Sequence, residues 1–230
     1  MKIAGFTRNS FVDYPGRITS VIFLAGCNYD CFFCHNRAII GADAPAVEEG
    51  PMWDFLEKRQ GLLDAVTVTG GEPTLQDELP ALLERVRSMG YLTKLDTNGS
   101  QPEAVRALVE GGLADYVALD VKAPAEQYRE YCGPSANFQK VMETLKCLRT
   151  SGVDYECRTT FLPQMTRHDI EKIARSIAPV KRFALQAYRV PPVFKPTDRF
   201  RVMAAGHSGD EMRAAVDAAA WCGGEVVLRA

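Results

Sequence analysis

The sequence predicts an α/β fold organised on a parallel sheet. Two observations carry this expectation. From about residue 17, short β-branched runs alternate with stretches of helical hydrophobic period, and polar residues collect at the same end of each run. Six runs read as strands: RITSVIFLAG (17–26), DAVTVTGG (64–71), YLTKLDTNG (91–99), DYVALDVK (115–122), VDYECRTTFL (153–162) and RFALQAY (182–188). Between them the period becomes helical. Leu75, Leu79, Leu82, Leu83, Val86 and Met89 share one face. So do Phe138, Val141, Met142, Leu145 and Leu148, and then Ile170, Ile173, Ala174 and Ile177. Thr74 with Asp77 and Thr166 with Asp169 have the T-x-x-D form of a helix start, and Gly90 and Gly152 sit where helices should stop. The lead-in KIAGFTRNSFVDYPG (2–16) reads as extended, with a turn at Tyr14-Pro15-Gly16. The tail from Gly209 reads as one more helix and a short strand. Such alternation implies right-handed βαβ units, which suit either an open doubly wound sheet or a barrel.

Composition narrows the class. Hydrophobic residues make up 47% and charged residues 24%, as in ordinary globular proteins, and a net charge of −2 argues against a whole-protein nucleic-acid footprint. No apolar run has the length of a membrane span, and the first residues lack the pattern of a signal peptide. A cytoplasmic protein with neither membrane nor nucleic-acid partners is the expectation.

The polar residues at the strand ends are candidates for a site. Thr69, Gly70, Gly71 and Glu72 close the second strand, and Asp96, Thr97 and Asn98 the third. Asp120 and Lys122 share a face of the fourth, Arg158 lies opposite Tyr155 and Cys157 on the fifth, and Gln186 closes the sixth. In parallel α/β folds, sites are built at the C-terminal strand ends.

Of seven cysteines, Cys27, Cys31 and Cys34 lie within GCNYDCFFCHN, and Cys132, Cys147, Cys157 and Cys222 are scattered. Where thiols stay reduced, such a cluster points to a metal rather than a disulfide framework. A structural zinc takes four ligands, normally as two pairs. Here His35 is adjacent to Cys34 and awkward as the fourth, and no second C-x₂-C follows. A redox C-x-x-C would leave Cys27 idle. Three thiolates on a tight loop suit a [4Fe–4S] cluster with one iron left open to a small ligand carrying an amine and a carboxylate.

This C-x₃-C-x₂-C run, with Phe33 before its third cysteine, resembles the signature of the radical S-adenosylmethionine (radical SAM) superfamily. GGEPT (70–74) resembles that superfamily's GGE loop after the second strand. SFVDYPGRITSVIFLAGCNYDCFFCHN, DTNG (96–99) and DVK (120–122) are similar to the activating enzymes of glycyl-radical enzymes, most of all to the activating protein of anaerobic ribonucleoside-triphosphate reductase. The likeness runs from about residue 5 to about 190. Tyr188-Arg189 departs from the aromatic-histidine pair of formate-lyase activases.

The resemblance implies one laterally open partial (β/α)6 barrel of parallel strands over 1–230, with a lead-in (1–16), a core (17–190) and a C-terminal extension (191–230). It implies that Cys27, Cys31 and Cys34 ligate the cluster, that Phe33, His35 and Asn36 border the adenine, and that Gly70, Gly71 and Glu72 receive the methionine ammonium. Asp96 and Thr97 would lie under the cofactor, with room in the family pattern for a monovalent cation. Asp120 and Lys122 would meet ribose or carboxylate, and Arg158 the methionine carboxylate. Asp13, Tyr14, Gln186 and Tyr188 are candidates for partner docking. The implied activity is reductive cleavage of S-adenosylmethionine to a 5′-deoxyadenosyl radical, which takes a hydrogen from a glycine Cα of a partner protein, with flavodoxin or ferredoxin as electron donor. The alternatives are an activase of another glycyl-radical enzyme, a radical SAM enzyme acting on a small heterocycle, and a non-catalytic scaffold.

Overall fold

The computed structural model describes residues 1–41 and 43–229. One sheet of eight strands runs in strict chain order: β1 (Ile3–Ser10), β2 (Thr19–Leu24), β3 (Ala65–Gly70), β4 (Leu92–Thr97), β5 (Tyr116–Asp120), β6 (Asp154–Phe161), β7 (Arg182–Ala187) and β8 (Glu225–Arg229). β2 to β8 are parallel neighbours, each joined to the next by a crossover. The crossovers carry α1 (Glu49–Lys58), α2 (Leu79–Ser88), α3 (Pro102–Glu110), α4 (Tyr128–Cys132), α5 (Phe138–Ser151), α6 (Arg167–Ile177), α7 (Arg199–Val202) and α8 (Gly209–Ala219). A doubly wound sheet reverses its strand order at a switch point. This order never reverses, so the sheet winds one way as a barrel wall, and β1 and β8 remain unpaired with each other.

The six expected strands are β2 to β7, and the tail supplies α8 and β8. The lead-in is more than extended chain. Its first part is the eight-residue β1, antiparallel to β2 with irregular register between Ile3 and Gly5 and between Thr7 and Ser10. Gly5, Arg8 and Asn9 give this strand little β propensity. Pairing with β2 supplies what local sequence does not.

Strands β2 to β5 are buried almost throughout, as expected where both sheet faces are covered, whereas the edge strands β1 and β8 are partly exposed. Outside the wall, α3 packs on α5 and α6 on α8. Thr166 caps α6 by accepting from Asp169 N, and Asp169 returns the bond to Thr166 N at 2.8 Å. Thr74 and Asp77 do not start a helix. The Thr74 hydroxyl goes to Glu72 instead, residue 76 is extended, and α2 begins only at Leu79. No helix among the described residues is long and apolar enough to cross a membrane.

Candidate functional site

The loop leaving β2 is pinned on all sides. Gly26 N donates to Ile39 O (2.9 Å), Asp30 N to Cys132 O (2.9 Å) and Cys34 N to Cys31 O (3.2 Å). Arg37 Nη2 spans Asp30 Oδ1 (2.9 Å) and the Cys31 carbonyl (2.7 Å). Cys27, Cys31 and Cys34 are all free thiols lining one cavity of about 360 Å³ over the C-terminal strand ends. Among the described residues, no three His, Cys, Asp or Glu side chains converge on a single metal ion. The thiols surround a space rather than a point. Tyr29 N points at Cys27 Sγ (3.4 Å). Burial pushes the Cys27 thiol up to about 12 and raises Cys34, and contact with the Cys132 thiol together with burial holds Cys31 well above its usual value. Deprotonating all three therefore requires strong positive charge beside them.

The loop after β3 lies against the cysteine loop with no room between. A Cβ on Gly71 would stand 2.0 Å from Gly26 O, and one on Gly70, at φ +124°, 2.3 Å from Leu24 O. Without Cβ atoms, Gly71 N reaches Leu24 O and Glu72 N reaches Gly26 O, both at 2.8 Å. The Asn36 amide donates to Gly70 O at 2.7 Å.

The Glu72 carboxylate is engaged within the protein. The residue is 0% exposed. Its Oε1 accepts from Thr74 N (3.1 Å), Thr74 Oγ1 (2.5 Å) and Thr97 Oγ1 (2.7 Å), and its Oε2 from Asn98 N (2.6 Å). Burial raises its pKa above the usual carboxylate range despite these donors. The side chain latches the β3 loop to the β4 loop from the cavity lining, and its Oε2 accepts only the Asn98 N bond.

Across β4 to β6 lies a chain of buried charges. Lys94 Nζ is bonded to Asp96 Oδ1, and Arg158 Nη1 to Asp96 Oδ2 (2.9 Å). Arg158 Nε meets Asp120 Oδ1 (2.8 Å), and Lys122 Nζ meets Asp120 Oδ2 (2.9 Å). Burial alone would raise both carboxyls. Arg158 and the lysines outweigh it and hold Asp96 and Asp120 below the usual range. Burial in turn pushes Lys94 down, with Asp96 restoring only part. Asp96, Asp120, Lys122 and Arg158 line the cavity with Thr97 and Gln186. Beside Asp96, where the resemblance leaves room for a monovalent cation, Lys94 and Arg158 each engage one carboxylate oxygen.

Phe33 lines the cavity and packs edge-on against Phe32 at 5.2 Å. His35 Nε2 lies 2.9 Å from Arg189 O and ties the cysteine loop to the C-terminal segment. A second cavity of about 630 Å³ shares Asp13, His35, Arg158, Thr160 and Gln186 with the first and extends past Phe11 and Arg229. Of the docking candidates, Asp13 and Gln186 border both cavities. Tyr188 donates to Val202 O (2.6 Å). Tyr14 is buried, 5.3 Å from the Tyr116 ring, and its neighbours Phe11 and Val12 are the exposed ones. Lys94 and Cys132 lie beside the site but outside the motifs. Period-two alternation from Asp96 was the available signal for Lys94; Cys132 had none.

The radical SAM superfamily pattern matches residues 21–177. The chain belongs to the radical SAM superfamily. A Methanocaldococcus jannaschii protein whose name assigns it to the glycyl-radical enzyme activating enzymes is 33% identical over 207 residues, covering 86% of this chain and 82% of that one. The 7-carboxy-7-deazaguanine synthase of Thermococcus kodakarensis is 31% identical over 128 residues, covering 46% of this chain and 50% of that one. Among solved structures, Streptococcus suis SuiB bound to S-adenosylmethionine aligns with a TM-score of 0.66 at 13% identity, over 91% of this chain and 52% of that one. This chain thus spans about half of SuiB, and the likeness is one of fold. Membership in the superfamily implies a [4Fe–4S] cluster and S-adenosylmethionine. The residues present fit both: three free thiols around a cavity, and beside them a polar pocket rich in cations.

Proposed function

We propose that this chain is a radical SAM activase that installs a glycyl radical in a partner protein, anaerobic ribonucleoside-triphosphate reductase by motif likeness. The observation that carries the reading is the likeness to the Methanocaldococcus jannaschii protein, which extends over most of both chains. The likeness to the deazaguanine synthase stops at half of each. That half-length match nevertheless favours a heterocycle-modifying enzyme as the second reading.

A bound cluster, given one electron by a flavodoxin or ferredoxin, would supply the reductive cleavage of S-adenosylmethionine to methionine and a 5′-deoxyadenosyl radical. The chain's own residues hold and orient. Cys27, Cys31 and Cys34 would hold three irons. The backbone of Gly70 and Gly71 would receive the methionine ammonium, and Phe33 would pack near the adenine. Arg158 keeps Nη2, and Lys122 keeps two N–H donors, for the methionine carboxylate beyond their bonds to Asp96 and Asp120. Residues 1–230 would act as one domain. The wider cavity, which meets the first at Asp13, Arg158 and Gln186, is the route by which a glycine loop would approach. Placing its Cα against the radical is a matter of orientation, worth orders of magnitude in rate.

Electron paramagnetic resonance tests this. The reconstituted chain, reductant, S-adenosylmethionine and the anaerobic reductase should give a glycyl-radical doublet that Cys31→Ala abolishes. Release of 5′-deoxyadenosine with no doublet, together with turnover of a small heterocycle, would favour the second reading.

A further inference from the structure

The charges of β4 to β6 amount to a cation site already filled by the protein. Asp96 and Asp120 stand on adjacent parallel strands, and Arg158 is the register partner of Asp120 on the next. Lys94 precedes Asp96 by two residues and shares its face. All four carboxylate oxygens of the pair are engaged: Asp96 Oδ1 by Lys94, Asp96 Oδ2 and Asp120 Oδ1 by Arg158, and Asp120 Oδ2 by Lys122.

We infer that Lys94 serves as a built-in cation between these strands, so that the ligand carboxylate is bound here without a monovalent metal ion. The inference deepens the proposed function and rests on its reading that S-adenosylmethionine occupies this cavity. Two acidic groups bordering a ligand carboxylate would repel it, and a small metal ion is one way to bridge such anions. Here three protein cations face two carboxylates, and the nearby Glu156 is matched by Arg229, which leaves an excess of one positive charge that the ligand carboxylate neutralises. An added metal ion would meet that excess and would need to displace a hydrogen-bonded cation from an oxygen. Lys94 cannot simply swing aside. Its side chain is 1% exposed, and leaving Asp96 would cost the ammonium its hydrogen-bonded carboxylate inside the barrel, where the buried Glu156 is already held by Arg229. Lys94 is a positioning residue. It neutralises Asp96, and Asp96 in turn aligns the Arg158 guanidinium toward the cavity.

The test is calorimetric titration of S-adenosylmethionine into the cluster-loaded protein in sodium, potassium or tetramethylammonium chloride at equal ionic strength. Tetramethylammonium is too large to sit between the carboxylates. The dissociation constant of the wild-type protein should agree within about twofold across the three salts, whereas a loss of about tenfold or more in tetramethylammonium would overturn the inference. Lys94→Gln should bind about tenfold more weakly in tetramethylammonium and regain most of that in sodium or potassium. A variant indifferent to salt, or weak in all three, would overturn the role of the Lys94 charge. Crystals of the wild-type protein soaked in rubidium chloride decide the point independently of the variant and of ligand binding. No anomalous peak between Asp96 and Asp120 is expected, and a peak there overturns the inference. Absence of binding heat in every salt would count against the proposed function instead.

Discussion

Glu72 shows what a motif carries and what it leaves out. The GGE pattern marked the residue for the site, but its carboxylate spends four hydrogen bonds inside the protein, two of them on Thr97 and Asn98. Those partners are 25 and 26 positions away, so no local pattern exposes the latch. Glu72→Gln keeps the volume but must turn an NH₂ toward a donor whichever way the amide faces. A stability loss of about 1–3 kcal/mol is expected, read by chemical denaturation, together with weaker S-adenosylmethionine binding. If stability were unchanged, the latch would be without structural weight. Lys94 was legible in principle, since alternation puts it on the face of Asp96, but that it lies buried depends on how the wall curves. Asp115 gives the pH dependence. Burial raises its pKa, and Arg87 with the Thr93 donors pulls it below the usual 3.8. A depressed folded value means that its stabilisation is complete above that usual value and is lost as pH falls through the folded one. The melting-temperature gap between the wild-type protein and Asp115→Asn should be constant from neutral pH down to about 5 and shrink below about 4. A gap that widens on acidification would contradict the assignment.

At the scale of elements, period and punctuation were mostly sufficient. β2 to β7 and helices α2, α5 and α6 emerge from alternation and from 3.6-residue spacing because each buries one clear face. The two T-x-x-D signals had different fates for a physical reason. Thr166 is free to fold back on the N-terminus of α6, whereas Pro73 and the buried Glu72 commit Thr74 to a tight turn before the chain extends at residue 76. Thr166→Ala should therefore cost about 1 kcal/mol by loss of the cap. Hydrogen exchange should show the first turn of α6 opening more readily. Thr74→Ala should leave the exchange of α2 unchanged and instead weaken the Glu72 latch. β1 escaped because an edge strand with a glycine and a polar end has no internal pattern. Only the β2 edge, unsatisfied until β1 joins it, selects that conformation.

For the whole molecule, the decisive feature is a barrel wall that stops short of closure between β1 and β8. An open wall needs its last strand secured, and β8 pairs with β7 alone. Besides α8 packing on it and the Arg182–Glu225 ion pair, it has an ionic anchor inside the barrel. Arg229 reaches into the barrel and holds Glu156 of β6 by two parallel bonds, 2.8 Å to Oε1 and 2.7 Å to Oε2. Glu156 is 0% exposed, so removing its partner leaves a buried charge rather than merely losing a contact. Arg229→Ala should destabilise the protein by about 3 kcal/mol, near the low end for such pairs because Arg229 keeps 27% of its side chain in water. The double variant Arg229→Ala with Glu156→Gln should recover much of the loss, since the amide carries no charge to strand. Denaturation curves of the three variants separate this from a simple packing effect. If the single and double variants were equally unstable, Arg229 would secure β8 by volume. Recovery would show that the open edge is held by charge, on the same side as the wide cavity that Arg229 lines. The last strand would then be anchored from inside the barrel, and among the described residues its outer edge pairs with no further strand.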